Sequence, residues 1–272
     1  AGGRRSYTCG VDRIKVIHGH IRLGVCPRQL LVHRNGSNSS NHIFNHLSLN
    51  KMSGLKPITV WVHGRGPNPY KVLITLEELG VPYEKGVSTD NLQITIDNPK
   101  EAPFTAINPN GRLPAIKDHN NNDLILWESG AIVEYIVETY DKEGELTLTG
   151  NADKWHLKQY LHFQMSGQGP YFGQAMWFRS FHHEDLPSAK KRYDEQTVRV
   201  FEVLNNILEG KQYLVGEKFT YADLVFIPWD KIIKDFVSDI WESYEVEKKY
   251  PNFAAWHARL MDRPSVKKVY GA

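Results

Sequence analysis

The chain has 272 residues, 41% of them hydrophobic and 24% charged, with a formal net charge of +2; that length allows one large domain or two ordinary ones, each able to bury a core. Eight basic residues against one acid, Asp12, put +7 on residues 1–51 and leave −5 on the rest, a balance that argues against nucleic acid as partner of the body. Both cysteines, Cys9 and Cys26, lie in the basic segment, which excludes a disulfide framework, a CxxC redox site, a zinc ribbon and a thiol nucleophile from residues 52–272. No apolar run is long enough to mark a membrane span.

Residues 1–51 contain no Trp, a single Tyr and the polar patch Asn35–Asn41, and their apolar residues follow neither the helical nor the strand period. That predicts disorder over a leader of residues 1–55. The segment is Arg-rich, Ser-containing and nearly free of acid, as mitochondrial transit peptides are. Met52-Ser-Gly-Leu-Lys-Pro57, however, reads as a natural start. The leader is therefore expected to be non-native or dispensable, either translated upstream sequence or a fusion remnant. The body is expected in the cytoplasm, or in mitochondria if the leader is a working transit peptide.

Ile58–His63 is rich in β-branched residues and reads as a buried strand. Val72, Leu76 and Leu79 then recur at helical spacing, and Gly80 stands at the helix stop. A second strand around Tyr83–Ser88 completes a βαβ unit, so the two strands should be parallel. Asn108-Pro-Asn-Gly111 is a turn, and Leu113–Lys117 and Leu124–Trp127 read as a hairpin joined across Asp118–Asp123. Ser129 is expected to cap a helix in which Ile132, Ile136 and Tyr140 align, with Tyr135 beside them. Lys142–Ala152 is a charged linker, and strand signals end there.

Trp155–Phe181 is helical in composition but must kink or break at Gly167, Gly169 and Pro170. Val200, Val203, Leu204, Ile207 and Leu208 form the apolar stripe of an amphipathic helix, another helix follows Phe219, and Phe253, Trp256 and Leu260 mark the last. The expected architecture is α/β over 56–141, a linker over 142–152 and an all-α unit over 153–272.

Several short segments carry two readings. Pro114 is locally a plain trans proline at a strand start; in cis it would turn the backbone of Leu113 outward to pair with a peptide ligand. Glu128-Ser129, where a strand meets a helix N-terminus, is either a Ser cap or a carboxylate site. Gly64-Arg-Gly-Pro-Asn-Pro69 lacks the third glycine of a dinucleotide fingerprint and the Gly-Lys-Ser/Thr of a phosphate loop. Asn68 within it is a helix cap or an amide aimed at an anion. Thr220-Tyr-Ala-Asp223 is a structural capping box with Asp in place of Glu. Tyr171, Phe172, Trp177 and Phe178 are core or the wall of an apolar pocket. Adjacent His182 and His183 diverge on any regular element and give no metal site, and GxSxG is absent.

In order, Pro67-Asn-Pro-Tyr-Lys-Val72, Leu76-Glu-Glu-Leu-Gly-Val-Pro82, Asn108-Pro-Asn-Gly-Arg-Leu-Pro114, Trp127-Glu-Ser-Gly-Ala-Ile132, Ser166-Gly-Gln-Gly-Pro170 and Tyr221-Ala-Asp-Leu224 make residues 57–270 resemble the soluble glutathione transferases. The likeness is to the fungal branch related to the yeast nitrogen-catabolite prion regulator. It implies a thioredoxin-like domain (βαβ–α–ββα) followed by an all-α domain. It further implies a cis Pro114, with Leu113 pairing with the cysteinyl backbone of glutathione. Glu128 and Ser129 would hold the γ-glutamyl end, Arg112 would lie beside the site, and Asn68 would face the sulfur. No Cys or Ser opens the first helix, so the thiol-transfer and dehydroascorbate-reducing classes do not match.

The implied activity is conjugation of glutathione to small hydrophobic electrophiles, with peroxidase activity as a companion and the 171–178 aromatics as electrophile pocket. Glutathione would be co-substrate, no metal would take part, and the protein would be a homodimer without nucleic-acid or membrane partners. The alternative is a non-catalytic regulatory or interaction module that keeps the fold and binds glutathione.

Overall fold

The computed structural model describes residues 54–63, 66–86 and 99–271; the leader, up to its last two residues, and the end of the expected second strand lie outside them. Strand β1 (Ile58–Trp61) runs into helix α1 (Pro67–Leu79) and on to strand β2 (Tyr83–Gly86), which pairs with β1 in parallel, Ile58 opposite Tyr83. Helix α1 starts on Pro67, whose ring fits the first helical position. It stops at Gly80, where a φ of 65° lets the amides of Gly80 and Val81 return to the carbonyls of Glu77 and Leu76.

A short helix α2 (Phe104–Ile107) leads to the expected hairpin, β3 (Ala115–Asp118) and β4 (Leu124–Trp127), antiparallel with Ala115 opposite Trp127. β3 also pairs antiparallel with β1, so the sheet order is β2-β1-β3-β4. Period-two alternation along β1 divides its residues between two faces. Ile58 and Val60 join the large core with α1 and helix α3 (Ser129–Tyr140); Trp61 turns to a smaller cluster with Phe104 and Ala115.

All described elements beyond α3 are helical. Helix α4 (Asn151–Phe163) passes through one π-helical turn, Gln164–Gln168, into α5 (Gly169–Ser180). The interruption expected at Gly167–Pro170 thus appears as a widened turn, and Pro170 falls within the first turn of α5, where its missing N–H costs nothing. Next come α6 (Pro187–Ile207), α7 (Tyr221–Leu224), α8 (Ile227–Phe236), α9 (Ser238–Ser243), α10 (Val246–Lys249), α11 (Pro251–Met261) and α12 (Pro264–Tyr270). Both α8 and α12 pack against α1. Glu78 on α1 accepts two bonds from the Arg263 guanidinium, 2.6 and 2.7 Å, and one from the Ser265 hydroxyl. Tyr70 on the same helix stacks on Tyr270 at 4.7 Å.

The capping box forms as read, and Asp223 does more than cap. Its buried carboxylate accepts the backbone N–H groups of Thr220 (3.0 Å) and Leu214 (2.9 Å) and the Trp256 indole N–H (2.9 Å). Burial pushes the Asp223 carboxyl upward while these donors pull it back. Replacing Asp223 by Ala strands three buried donors at once and should cost about 3 kcal/mol or more. Asp223→Asn, which keeps one acceptor, should cost less. Urea unfolding midpoints of the two variants check this ordering.

Candidate functional site

Four chain segments meet around a cavity of about 810 Å3: the start of α1, the loop before β3, the β4–α3 junction, and the face of α5 with Trp229 of α8. That volume holds a small peptide with room for a second molecule. Asn68, Arg112, Leu113, Glu128, Ser129 and Trp177 all line it.

The loop before β3 is organised by Asn108, 1% exposed, whose Nδ2 donates to the Arg112 carbonyl at 2.6 Å while its Oδ1 accepts the Asn110 amide at 2.9 Å. The Leu113–Pro114 peptide is cis, as the family likeness implies and against the local reading. Sheet pairing of β3 begins only at Ala115. Leu113 lines the cavity, and its N–H and C=O have no partner among the described residues, which leaves one donor and one acceptor unclaimed by the fold.

At the β4–α3 junction the expected serine cap is corrected. The cap position belongs to Glu128, whose carbonyl accepts the Ile132 amide at 2.9 Å, and Ser129 is the first helical residue. Glu128 sits at φ 73°, a conformation that costs a non-glycine residue about 1–3 kcal/mol. Ser129 lines the cavity at the start of α3, where the helix dipole favours an anion, and its hydroxyl accepts from Lys71 Nζ and donates to Met165 Sδ at 3.6 Å.

Asn68 is the second residue of α1, between Pro67 and Pro69. It makes no side-chain cap bond. Its Oδ1 instead accepts the Trp229 indole N–H at 3.0 Å. Because two of the first three helical positions are prolines, the Asn68 N–H is the one main-chain donor among them, fewer than a helix start ordinarily presents.

The aromatic cluster is divided by helix geometry. Gly169, Pro170, Gly173, Gln174 and Trp177 recur at offsets 0, 1, 4, 5 and 8 and face the cavity. Phe172 is fully buried against Phe201, Phe178 stacks on Tyr193 at 5.4 Å, and Tyr171 lies under Arg199. Of the expected pocket residues, Trp177 alone lines the cavity; Tyr171 and Phe178, seven residues apart, share another side of α5 toward α6, and Phe172 turns into the core.

The sequence reading missed Lys71. It lies one helical turn after Asn68, is 1% exposed, and still lines the cavity. Its Nζ donates to Gln164 Oε1 in the π turn and to Ser129 Oγ at 3.4 Å. Burial lowers the ammonium to about 7, and the Glu128 charge acts in the opposite direction. The available signal was a lysine directly before the apolar run Val72–Ile74, on the helix face that carries Asn68.

The low Lys71 value has a stability consequence with a definite sign. Below about pH 7 the folded and unfolded chains both hold the proton, and the fold bears the cost of a buried ammonium. As pH rises above 7 the folded chain releases that proton before the unfolded chain does, so this contribution to stability increases. Lys71→Met lacks the rise. The stability difference between wild type and Lys71→Met should therefore move in favour of wild type by about 1–2 kcal/mol between about pH 7 and about pH 9. Urea titrations at the two pH values measure it, and a pH-independent difference would return Lys71 to an ordinary lysine.

Two family models match the chain: "Glutathione S-transferase, N-terminal domain" over residues 56–138 and "Glutathione S-transferase, C-terminal domain" over residues 170–264. The glutathione S-transferase-like protein gedE of Aspergillus terreus is 45% identical over 230 residues, spanning 81% of this chain and 97% of that protein. Glutathione transferase URE2P6 of Phanerochaete chrysosporium, solved with oxidized glutathione, superposes with a TM-score of 0.72 at 40% identity, covering 79% of this chain and 96% of that one. Ure2p5 of the same fungus, cocrystallized with 1-(S-glutathionyl)-2,4-dinitrobenzene, gives 0.70 at 39% identity, covering 80% and 95%. A four-stranded mixed sheet with a cis proline before β3, followed by a helical half, and the agreement of both family models place this chain in the glutathione S-transferase family.

Proposed function

We propose that this protein conjugates glutathione to small electrophiles, with hydroperoxide reduction as a companion activity. The observation that carries this reading is the cavity at the seam between the sheet and the helical half, where the partnerless backbone of Leu113, the start of α3 at Ser129 and the Asn68 amide converge. Leu113 pairs with the cysteinyl backbone of glutathione. Ser129 and the α3 amides take the γ-glutamyl carboxylate, with Glu128 close to the γ-glutamyl amine and Arg112 at the rim. Asn68 donates from Nδ2 to the sulfur. A free thiol ionises near 8.5, and donors at a helix start lower that value. The thiolate then attacks the electrophilic carbon, a carbon–sulfur bond forms, and a leaving group such as chloride departs with the bonding pair. Trp177 and Pro170 supply apolar wall for the electrophile.

The binding of a dinitrobenzene conjugate by the related Ure2p5 supports both halves of this occupancy. We also propose a homodimer: β4 is an edge strand, and Ile125 and Trp127 on it remain 43% and 37% exposed.

Initial rates with glutathione and chlorodinitrobenzene test the chemistry. Asn68→Ala should lower kcat near neutrality about tenfold to a hundredfold, as a rise of about one to two units in the pKa of the bound thiol would do. Ser129→Ala should chiefly raise the KM for glutathione, by about tenfold. Undiminished turnover in Asn68→Ala would remove that residue from the mechanism. Retention on a glutathione column with no turnover against haloarenes or hydroperoxides would favour the non-catalytic module. Light scattering on the eluting peak should give twice the chain mass, and a monomer would refute the dimer.

A further inference from the structure

The Asn68 carboxamide has an accepting end and a donating end, and they act oppositely on a thiolate. Nδ2–H stabilises the anion; Oδ1 in the same place repels it. The terminal torsion of an Asn has a broad, nearly two-fold profile, so an unrestrained amide presents either end. Here a residue 161 positions away sets the choice: the Trp229 indole N–H donates to Asn68 Oδ1 at 3.0 Å. An indole N–H is a donor and never an acceptor. Turning the amide over would oppose N–H to N–H and lose the bond. With Oδ1 engaged, planarity sends Nδ2 the other way, and among the described residues Nδ2 has no partner while Asn68 lines the cavity.

The indole reaches Asn68 because α5 leaves it room. Gly169 and Gly173, one turn apart, both pass beneath the ring. A Cβ at Gly169 would stand 3.3 Å from Trp229 Nε1, and one at Gly173 would stand 3.1 Å from Cη2. Trp229 itself is 9% exposed, held by a slot that a single methyl group would tighten.

We propose that Trp229 is a positioning residue for thiol activation: its indole N–H locks the Asn68 carboxamide with Nδ2 toward the glutathione sulfur, and Gly169 and Gly173 form the slot that admits the ring. This rests on the reading of Asn68 as the sulfur-side donor. The γ-glutamyl and cysteinyl contacts belong to Ser129 and Leu113, so loss of the lock leaves glutathione binding in place and raises the pKa of the bound thiol. The deficit then shrinks at high pH, where the thiol ionises unaided.

The test uses Trp229→Phe, which deletes the N–H and keeps a ring, and Gly173→Ala, which keeps the indole and displaces it. The ultraviolet absorbance of bound thiolate is followed against pH, together with kcat and KM. Both variants should raise the apparent thiol pKa by about half to one unit, which lowers kcat about three- to tenfold near neutrality, with the KM for glutathione within about twofold of wild type. On an Asn68→Ala background Trp229→Phe should add nothing, because the group it orients is gone. An unshifted thiol pKa in both variants, or a full additional loss on the Asn68→Ala background, overturns the role of Trp229. If Asn68→Ala itself leaves the thiol pKa unchanged, the reading of Asn68 fails instead. Should Trp229→Phe not fold, Gly173→Ala and its double variant with Asn68→Ala carry the same comparison.

Discussion

Helix α1 buries the Lys71 amine, burial lowers its pKa to about 7, and the neighbouring elements have to solvate its charged form. Lys71 Nζ cannot reach bulk water, and an unpaired buried charge is costly. Its principal partner, Gln164, comes from the helical half, at the turn where α4 widens into a π helix. From there a polar chain runs inward: Gln164 Nε2 donates to Gln168 Oε1 at 2.9 Å, and Gln168 Nε2 donates to Asp230 Oδ1 at 2.7 Å. Each amide accepts on one side and donates on the other, so the dipoles align from the cation toward the acid. Asp230 is buried, and that burial pushes its carboxyl well above the usual carboxylate range, with Gln168 acting against it. The π turn, Gln168 and the first turn of α8 are thereby tied to α1 through hydrogen bonds rather than through apolar contact alone.

That tie fixes where the cavity can be. The sheet half contributes backbone corners, and these are rigid because each is closed by a local bond: Asn108 across its own turn, and Glu128 by its carbonyl to Ile132. The helical half contributes the opposite wall from one face of α5, together with Trp229. A shift of the π turn or of α8 against α1 would break the Lys71–Gln164 or the Trp229–Asn68 bond, the first of them buried beyond the reach of a replacing water. Elsewhere along α1, the Arg263–Glu78 pair and the Tyr70–Tyr270 stack hold the same two halves together.

The elements were legible because their signals are local. The β-branched run at β1, Gly80 at the end of α1, the hairpin and the capping box at Thr220 each depend on neighbouring residues. The break before Pro170 could be read, but its form as a π turn could not, since that follows from Gln164 and Gln168 both turning inward to distant partners. Lys71 and Trp229 escaped for the same reason. In sequence a lysine next to Val72, Leu73 and Ile74 is one more charge on a helix, and Trp229 is one more core aromatic. Their meaning lies in bonds spanning 93 and 161 residues. Four rings close in sequence suggest one pocket, whereas a rotation of 100° per residue turns Tyr171, Phe172 and Phe178 away from the side of α5 that carries Trp177.

The proline-flanked opening of α1 explains why a side-chain amide has to serve the sulfur under the proposed chemistry. A helix start usually offers a cluster of free N–H groups, and prolines at its first and third positions remove two of them here. The macrodipole remains, but within the first three helical positions the directed donors are reduced to the Asn68 main chain and side chain. With no hydroxyl or thiol in the described part of that loop to add another, the orientation of one amide decides whether the sulfur meets a donor or an acceptor. A site reduced to so few donors gains the most from a fixed rotamer. The residue that fixes it stands on α8, beside the Asp230 that ends the chain from Lys71. The same helix start therefore both orients the Asn68 amide and ends the polar chain from Lys71, so under the proposed chemistry sulfur activation would depend on how the two halves of the molecule are seated on each other.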